Sequence, residues 1–128
     1  MRLHRSLLPQ LAKQIVKALV DAHDIETDAP REVEHDVESV LGTYVGQVDQ
    51  AMARARDIVQ ERGLPQGEFA RFKKLAAEQA GIKIGDDALD YILDQLVQML
   101  MHSGNVEEVF SEDHAIKRTM RTFLREHL

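Results

Sequence analysis

Residues 105–124 read NVEEVFSEDHAIKRTMRTFL. Val106, Val109 and Phe110 mark a short apolar strand, SEDH a turn, and Ile116, Met120, Phe123 and Leu124 the stripe of a helix. Residues 24–41, DIETDAPREVEHDVESVL, follow the same plan, with Ile25 ahead of a helix that bears Val33, Val37, Val40 and Leu41. The likeness extends upstream. Residues 2–26 align without a gap on residues 83–107, and five pairs are identical: Leu8/Leu89, Gln14/Gln95, Val16/Val97, Leu19/Leu100 and Glu26/Glu107. The flanking apolar pairs Leu3/Ile84 and Ile25/Val106 also coincide, and an insertion of Val109 and Phe110 brings Ile116, Met120, Phe123 and Leu124 onto the second helix of the first half. The expected unit is a short strand, a long helix, a short strand and a second helix, present twice.

Helical spacing dominates the chain. Leu7, Leu8, Leu11, Ala12, Ile15, Val16 and Leu19 form an amphipathic helix, with Ser6 as the expected cap and Pro9 in the first turn. Asp28 is the expected cap of a helix reaching about residue 62, through Val33, Val37, Val40, Tyr44, Val48, Met52, Ala55 and Val59. Gly42 and Gly46 each weaken that helix by about 1 kcal/mol relative to alanine, which suggests a break or a close helix contact. RGLPQG (62–67) is a stop; Phe69, Phe72, Leu75 and Ala76 share one face of a shorter helix; Asp86 or Asp87 caps a fourth that carries Ile92, Leu93 and Leu96. The reading is an all-α domain over 1–128: five helices in two halves, 2–45 and 83–128, about a pseudo-two-fold axis, with 46–80 as a helical joint. The predicted tiny strands are Ile82–Ile84 and Val106–Phe110, with fainter ones at Arg2–Leu3 and Ile25–Thr27, and Leu3 and Ile84 are expected to pair.

A chain of 128 residues with 44% apolar and 30% charged residues suits one domain of ordinary size. It has no cysteine, which excludes disulfides, thiolate zinc sites and a cysteine nucleophile and suits a reducing cytoplasm. The basic, apolar N-terminus lacks the clean apolar run of a signal peptide, because Gln10, Lys13, Gln14 and Lys17 interrupt it. No stretch approaches the roughly 20 apolar residues of a membrane span.

NVEEVFSEDHAIKRTMRTFLREHL, with MRL leading into LAKQIVKALVDAHDIE, resembles the bacterial family called domain of unknown function 507. The likeness covers residues 1–41 and 83–128, is most specific at Asn105–His114 and is loosest over 46–80. It implies a small α-rich bacterial protein. The family has no established activity, so it lends this chain no catalytic residue.

Charge is patterned. Residues 21–38 hold eight acidic side chains and one arginine, whereas 117–128 hold Lys117, Arg118, Arg121 and Arg125 against Glu126. On the repeat alignment Glu34 falls on Lys117 and Glu38 on Arg121, so the two halves, or two chains, are expected to present complementary faces. The other reading is two solvated faces, since exposed ion pairs contribute only about 0–1 kcal/mol. Motifs for chemistry are sparse. Glu32-x-x-His35 is one copy of a spacing that di-iron bundles use in pairs, and Arg118 stands at the aligned position. Glu112, Asp113 and His114 fit a helix N-terminus capped by Ser111, and His102 fits a helix end. There is no phosphate-binding glycine loop and no nucleophile elbow.

The functional expectation is a non-enzymatic interaction or scaffold domain, without cofactor or metal, whose partner is another protein or a second copy. A net charge of −6 argues against nucleic acid, although RFKK (71–74), Lys83 and the basic C-terminal helix offer a local basic patch. A metal-binding or enzymatic protein is the second alternative. Met52 and Val59 are the candidate apolar surface because the second half has nothing aligned to cover them. A fold-back of the helix at 69–76 over them is the competing reading.

Overall fold

The computed structural model describes residues 3–128. Five α-helices follow one another: α1 (Leu8–Asp21), α2 (Pro30–Glu61), α3 (Phe69–Ala80), α4 (Ala88–His102) and α5 (Asp113–Leu124). Two strands of two residues, β1 (Ile25–Glu26) and β2 (Glu108–Val109), complete an all-α fold. α1 packs on α2 and α5, while α4 packs on α5 and α2. Four of the five helices turn the centre of the predicted stripe inward: Ile15 and Leu19 from α1, Val37 and Leu41 from α2, Leu93 and Leu96 from α4, and Ile116 and Met120 from α5 are fully buried, whereas α3 buries Ala76 but leaves Leu75 exposed. Full burial of one such side chain stabilises by about 1.5–3 kcal/mol, so these faces carry the fold.

α2 does not break at its glycines. It runs unbroken for 32 residues, about 48 Å. A Cβ at Gly42 would lie 3.8 Å from Leu8 Cδ1 and one at Gly46 3.6 Å from an Arg5 guanidinium nitrogen, both ordinary contacts. Burial of Leu41, Tyr44, Val45 and Val48 around them holds the helix through its weak points.

The first three helix ends follow one pattern. After α3, Gly81 adopts φ +74, its N–H bonds to Glu78 O, and the Ile82 N–H bonds to Ala77 O. After α2, Gly63 and Leu64 bond in the same way to Gln60 and Val59, and after α1 His23 and Asp24 bond to Val20 and Leu19. These are left-handed closures that use up the last carbonyls. His23 takes the left-handed position, φ 58, without being glycine.

That closure explains a missing strand. The Ile82 amide is spent on ending α3 and the Lys83 carbonyl accepts from Tyr44 Oη at 2.7 Å, so no ladder forms at Ile82–Ile84. Leu3 is buried but is not in a strand, and Arg2 lies outside the described residues. The expected Leu3/Ile84 pairing is therefore absent. The ladder that does form is antiparallel, with Ile25 opposite Val109 and Glu26 opposite Glu108. The strand expected over Val106–Phe110 is thus confined to Glu108–Val109, and Val106 lies outside it.

The expected caps are also corrected. A 3-10 turn, Arg5–Leu7, precedes α1, so Ser6 does not cap it. Asp28 does not cap α2, whose N-cap position is Ala29 without a side-chain cap; just ahead, Thr27 Oγ1 accepts from Ala29 N–H at 2.9 Å and donates to Asn105 O at 2.5 Å. Ser111 does not cap α5, because its hydroxyl donates to Asp24 Oδ1 at 2.6 Å. Neither Asp86 nor Asp87 makes a side-chain cap to α4, which follows a 3-10 turn at Gly85–Asp87.

Candidate interaction surface

Past Met52, the buried residues of α2 leave the main core. The contiguous core takes α2 side chains only as far as Val48, with Met52 half-buried at its edge. Beyond it Ala55 and Val59 are buried, and α3 lies along this stretch. Alanines on both helices, Ala51, Ala55, Ala76 and Ala77, form the seam. Small side chains allow close approach of two helices but bury little apolar area. Residues 53–61 thus carry α2 about 14 Å past the core, with α3 packed on it as the second rod of an arm.

Of the two readings of Met52 and Val59, an exposed stripe or a surface covered by the helix at 69–76, the structure shows the second for Val59. Val59 is 3% exposed, because α3 folds back over it. Met52 and Val59 floor an open cleft of about 650 Å³, walled by Arg56, Gln60, Leu64 and Phe69. The other flank of the seam is a smaller groove of about 170 Å³, lined by Arg54, Ile58, Arg62, Phe72 and Leu75. Leu75 is 41% exposed, and the guanidiniums of Arg62 and Arg71 lie 5.8 and 5.6 Å from the centre of the Phe72 ring. Such cation–π contacts contribute about 0.5–1 kcal/mol at exposed sites.

The charged candidates lie elsewhere. Within the chain, Lys117 and Arg121 do not face Glu34 and Glu38. Lys117 pairs with Asp94, and Arg121 pairs with Asp90 at 3.0 Å. The reason is geometric: α4 and α5 are antiparallel neighbours, and a carboxylate pair spaced i, i+4 on one matches a basic pair spaced i, i+4 on the other. Glu34 and Glu38 are half-buried on α2, and Glu38 edges a shallow depression with Arg5 and His35. Arg118 is exposed on α5.

Two acids of the 21–38 run are internal rather than solvated, which the charge pattern concealed. Asp24 is 5% exposed and accepts from Ser111 and Thr119. Asp36 Oδ2 accepts from Ser103 Oγ at 2.8 Å and Asn105 Nδ2 at 3.0 Å. Ser111 precedes α5 and Thr119 lies within it, so no shared helix face signalled the pair.

The remaining candidates for chemistry have structural settings. Glu32 and His35 are exposed, His114 lies 3.4 Å from Glu112 on the surface, and His102 Nδ1 meets Gln98 O at 2.8 Å at the end of α4. No group of three or more potential metal ligands occurs among the described residues. Burial, with Tyr91 adding to it, pushes the Tyr44 hydroxyl up to about 12, and that hydroxyl is committed to Lys83 O. No helix among the described residues is long and apolar enough to cross a membrane.

The sequence profile of the family described as "Protein of unknown function (DUF507)" matches residues 1–128. No curated protein matches the chain. With a match that spans both halves and the α2–α3 arm alike, the chain belongs to the DUF507 family.

Proposed function

We propose that this protein is a non-enzymatic interaction module that engages another protein through the α2–α3 arm. One observation carries the reading: the arm joins the contiguous core only through Ala77 of α3 and leaves Leu75 and the Phe72 flank open to solvent between arginines. An arm held by an alanine seam contributes little to the stability of the body, so its surface is free to serve a partner. The body of the molecule, by contrast, ties Asp24, Asp36, Asn105 and Thr119 into internal hydrogen bonds.

The reading of residues 2–45 and 83–128 as related halves belongs to the same proposal. It is supported by crossed packing, since α1 lies on α5 where α4 lies on α2. Such a duplicated body is a rigid base for the arm inserted at its joint.

A photo-crosslinking residue at Leu75 or Arg54, in cells that produce the protein, should give discrete adducts, and one at exposed Lys13 on α1 should not. Adducts at Lys13 with none at the arm positions would reject the arm as the engaging surface.

A further inference from the structure

Arg54 and Ile58 of α2 and Arg62, just past its last turn, stand at i, i+4 and i+8 and so follow one line. Phe72 and Leu75 face this line across the groove. Among the described residues, neither Arg54 nor Arg62 has a carboxylate within 4.0 Å, although Lys17, Lys117 and Arg121 each have one. The groove therefore combines an apolar floor with two arginines that form no ion pair among the described residues.

We propose that this groove docks an acidic amphipathic helix of a partner protein, an inference that rests on the interaction reading above. The apolar stripe of such a helix, at i, i+3/i+4 and i+7, would lie on Ile58, Phe72 and Leu75. Its flanking Glu or Asp side chains would meet Arg54 and Arg62, which arginine favours through its planar fork of donors.

Charge complementarity selects this occupant over two others. A nucleic acid would use the arginines but has no need of the apolar floor of Ile58, Phe72 and Leu75. A second copy would have to offer its acidic run at residues 21–38. In that run Asp24 and Asp36 are already held by internal hydroxyl and amide donors. A head-to-tail contact of that kind is also heterologous, so it would build a ring or a filament rather than a two-fold dimer.

The test uses the full chain and three labelled probes read by fluorescence anisotropy at low and high salt: an acidic Leu/Glu amphipathic peptide, the same peptide with Gln for Glu, and a duplex oligonucleotide. The acidic peptide should bind most tightly and weaken at least about tenfold on raising salt or in R54E/R62E. A Leu/Lys peptide should recover binding to R54E/R62E. Both arginines are exposed, so the variant should keep its helical circular dichroism, and L75D provides an independent loss through the apolar floor.

Equal binding of the glutamine peptide, preference for the oligonucleotide, or self-association through the groove that the acidic peptide does not compete would each overturn the proposal. Arm adducts in cells without acidic-peptide binding would reject the partner class and leave the arm reading standing. Loss of both would reject the two together.

Discussion

Asp24 Oδ2 accepts a hydrogen bond from Thr119 Oγ1 at 2.8 Å, a contact between residues 95 apart in the chain. Under the alignment of the two halves, Asp24 corresponds to Asn105 and Thr119 to Asp36. Asn105 Nδ2 donates to Asp36 at 3.0 Å. The same link between a loop and a helix thus occurs twice, with donor and acceptor exchanged, and each copy ties one half to the other.

Asp24 is the more heavily committed of the two acids, since its other oxygen accepts from Ser111 and its carbonyl accepts from Phe110 N–H at 2.9 Å. Asp24→Ala leaves two hydroxyls beside an apolar gap and should cost about 3 kcal/mol, because bonds to a charged group contribute about 1.5–3 kcal/mol each. Asp24→Asn retains one acceptor and should cost about half as much. Urea denaturation measures both. A loss under about 1 kcal/mol in Asp24→Ala would mean that water replaces the carboxylate.

Tyr44 should make stability fall at high pH. Its folded pKa lies at about 12, above the ordinary 10.0, because burial disfavours the charged phenolate. Its contribution is thus full below pH 10 and declines as pH rises through 10 toward 12. Denaturation of the protein and of Tyr44→Phe at pH 9 and pH 11 should show a smaller drop in the variant. Equal drops would assign the alkaline loss to other groups.

The α4–α5 ion pairs predict a specific rescue. Lys117→Glu with Arg121→Glu should lower stability by about 1–2 kcal/mol, and Asp90→Arg with Asp94→Lys should restore much of it. Reversal of Glu34 and Glu38 should restore none. Thermal melts at low and high salt would distinguish these cases, since screening weakens exposed pairs. Rescue by Glu34 and Glu38 instead would contradict the packing of α5 on α4.

Val59 and Met52 should respond differently although both floor the same cleft. Val59→Lys places an ammonium under α3 and should cost at least about 2 kcal/mol, with loss of amide protection in α3. Met52→Lys, at a half-buried position beside open space, should cost under about 1 kcal/mol, because the lysine stem can snorkel. Hydrogen exchange of α3 separates the two, and equal effects would show that the cleft is closed in solution.

Helical stripes were legible because they depend on local spacing alone. Ile15, Val37, Leu96 and Met120 are buried as their periodicity required, and Pro9 and Pro30 sit in first turns. The polar details were less legible. Ser6, Asp28 and Ser111 are good cap residues by type, but type does not say whether a better partner lies across the chain. Ser111 found Asp24, and Thr27 found both Ala29 and Asn105.

The sequence by itself determined an all-α chain with a short strand ahead of a helix in each half, since apolar period and turn residues act within a few positions. Only the tertiary structure decided which of these signals were used. Backbone groups can bond once or twice, so the amide of Ile82 that closes α3 could not also build a ladder, and Val109 took the ladder with Ile25. The same holds for the arm: nothing local tells whether Val59 faces solvent, but once RGLPQG reverses the chain, α3 can only lie back along α2 and cover it.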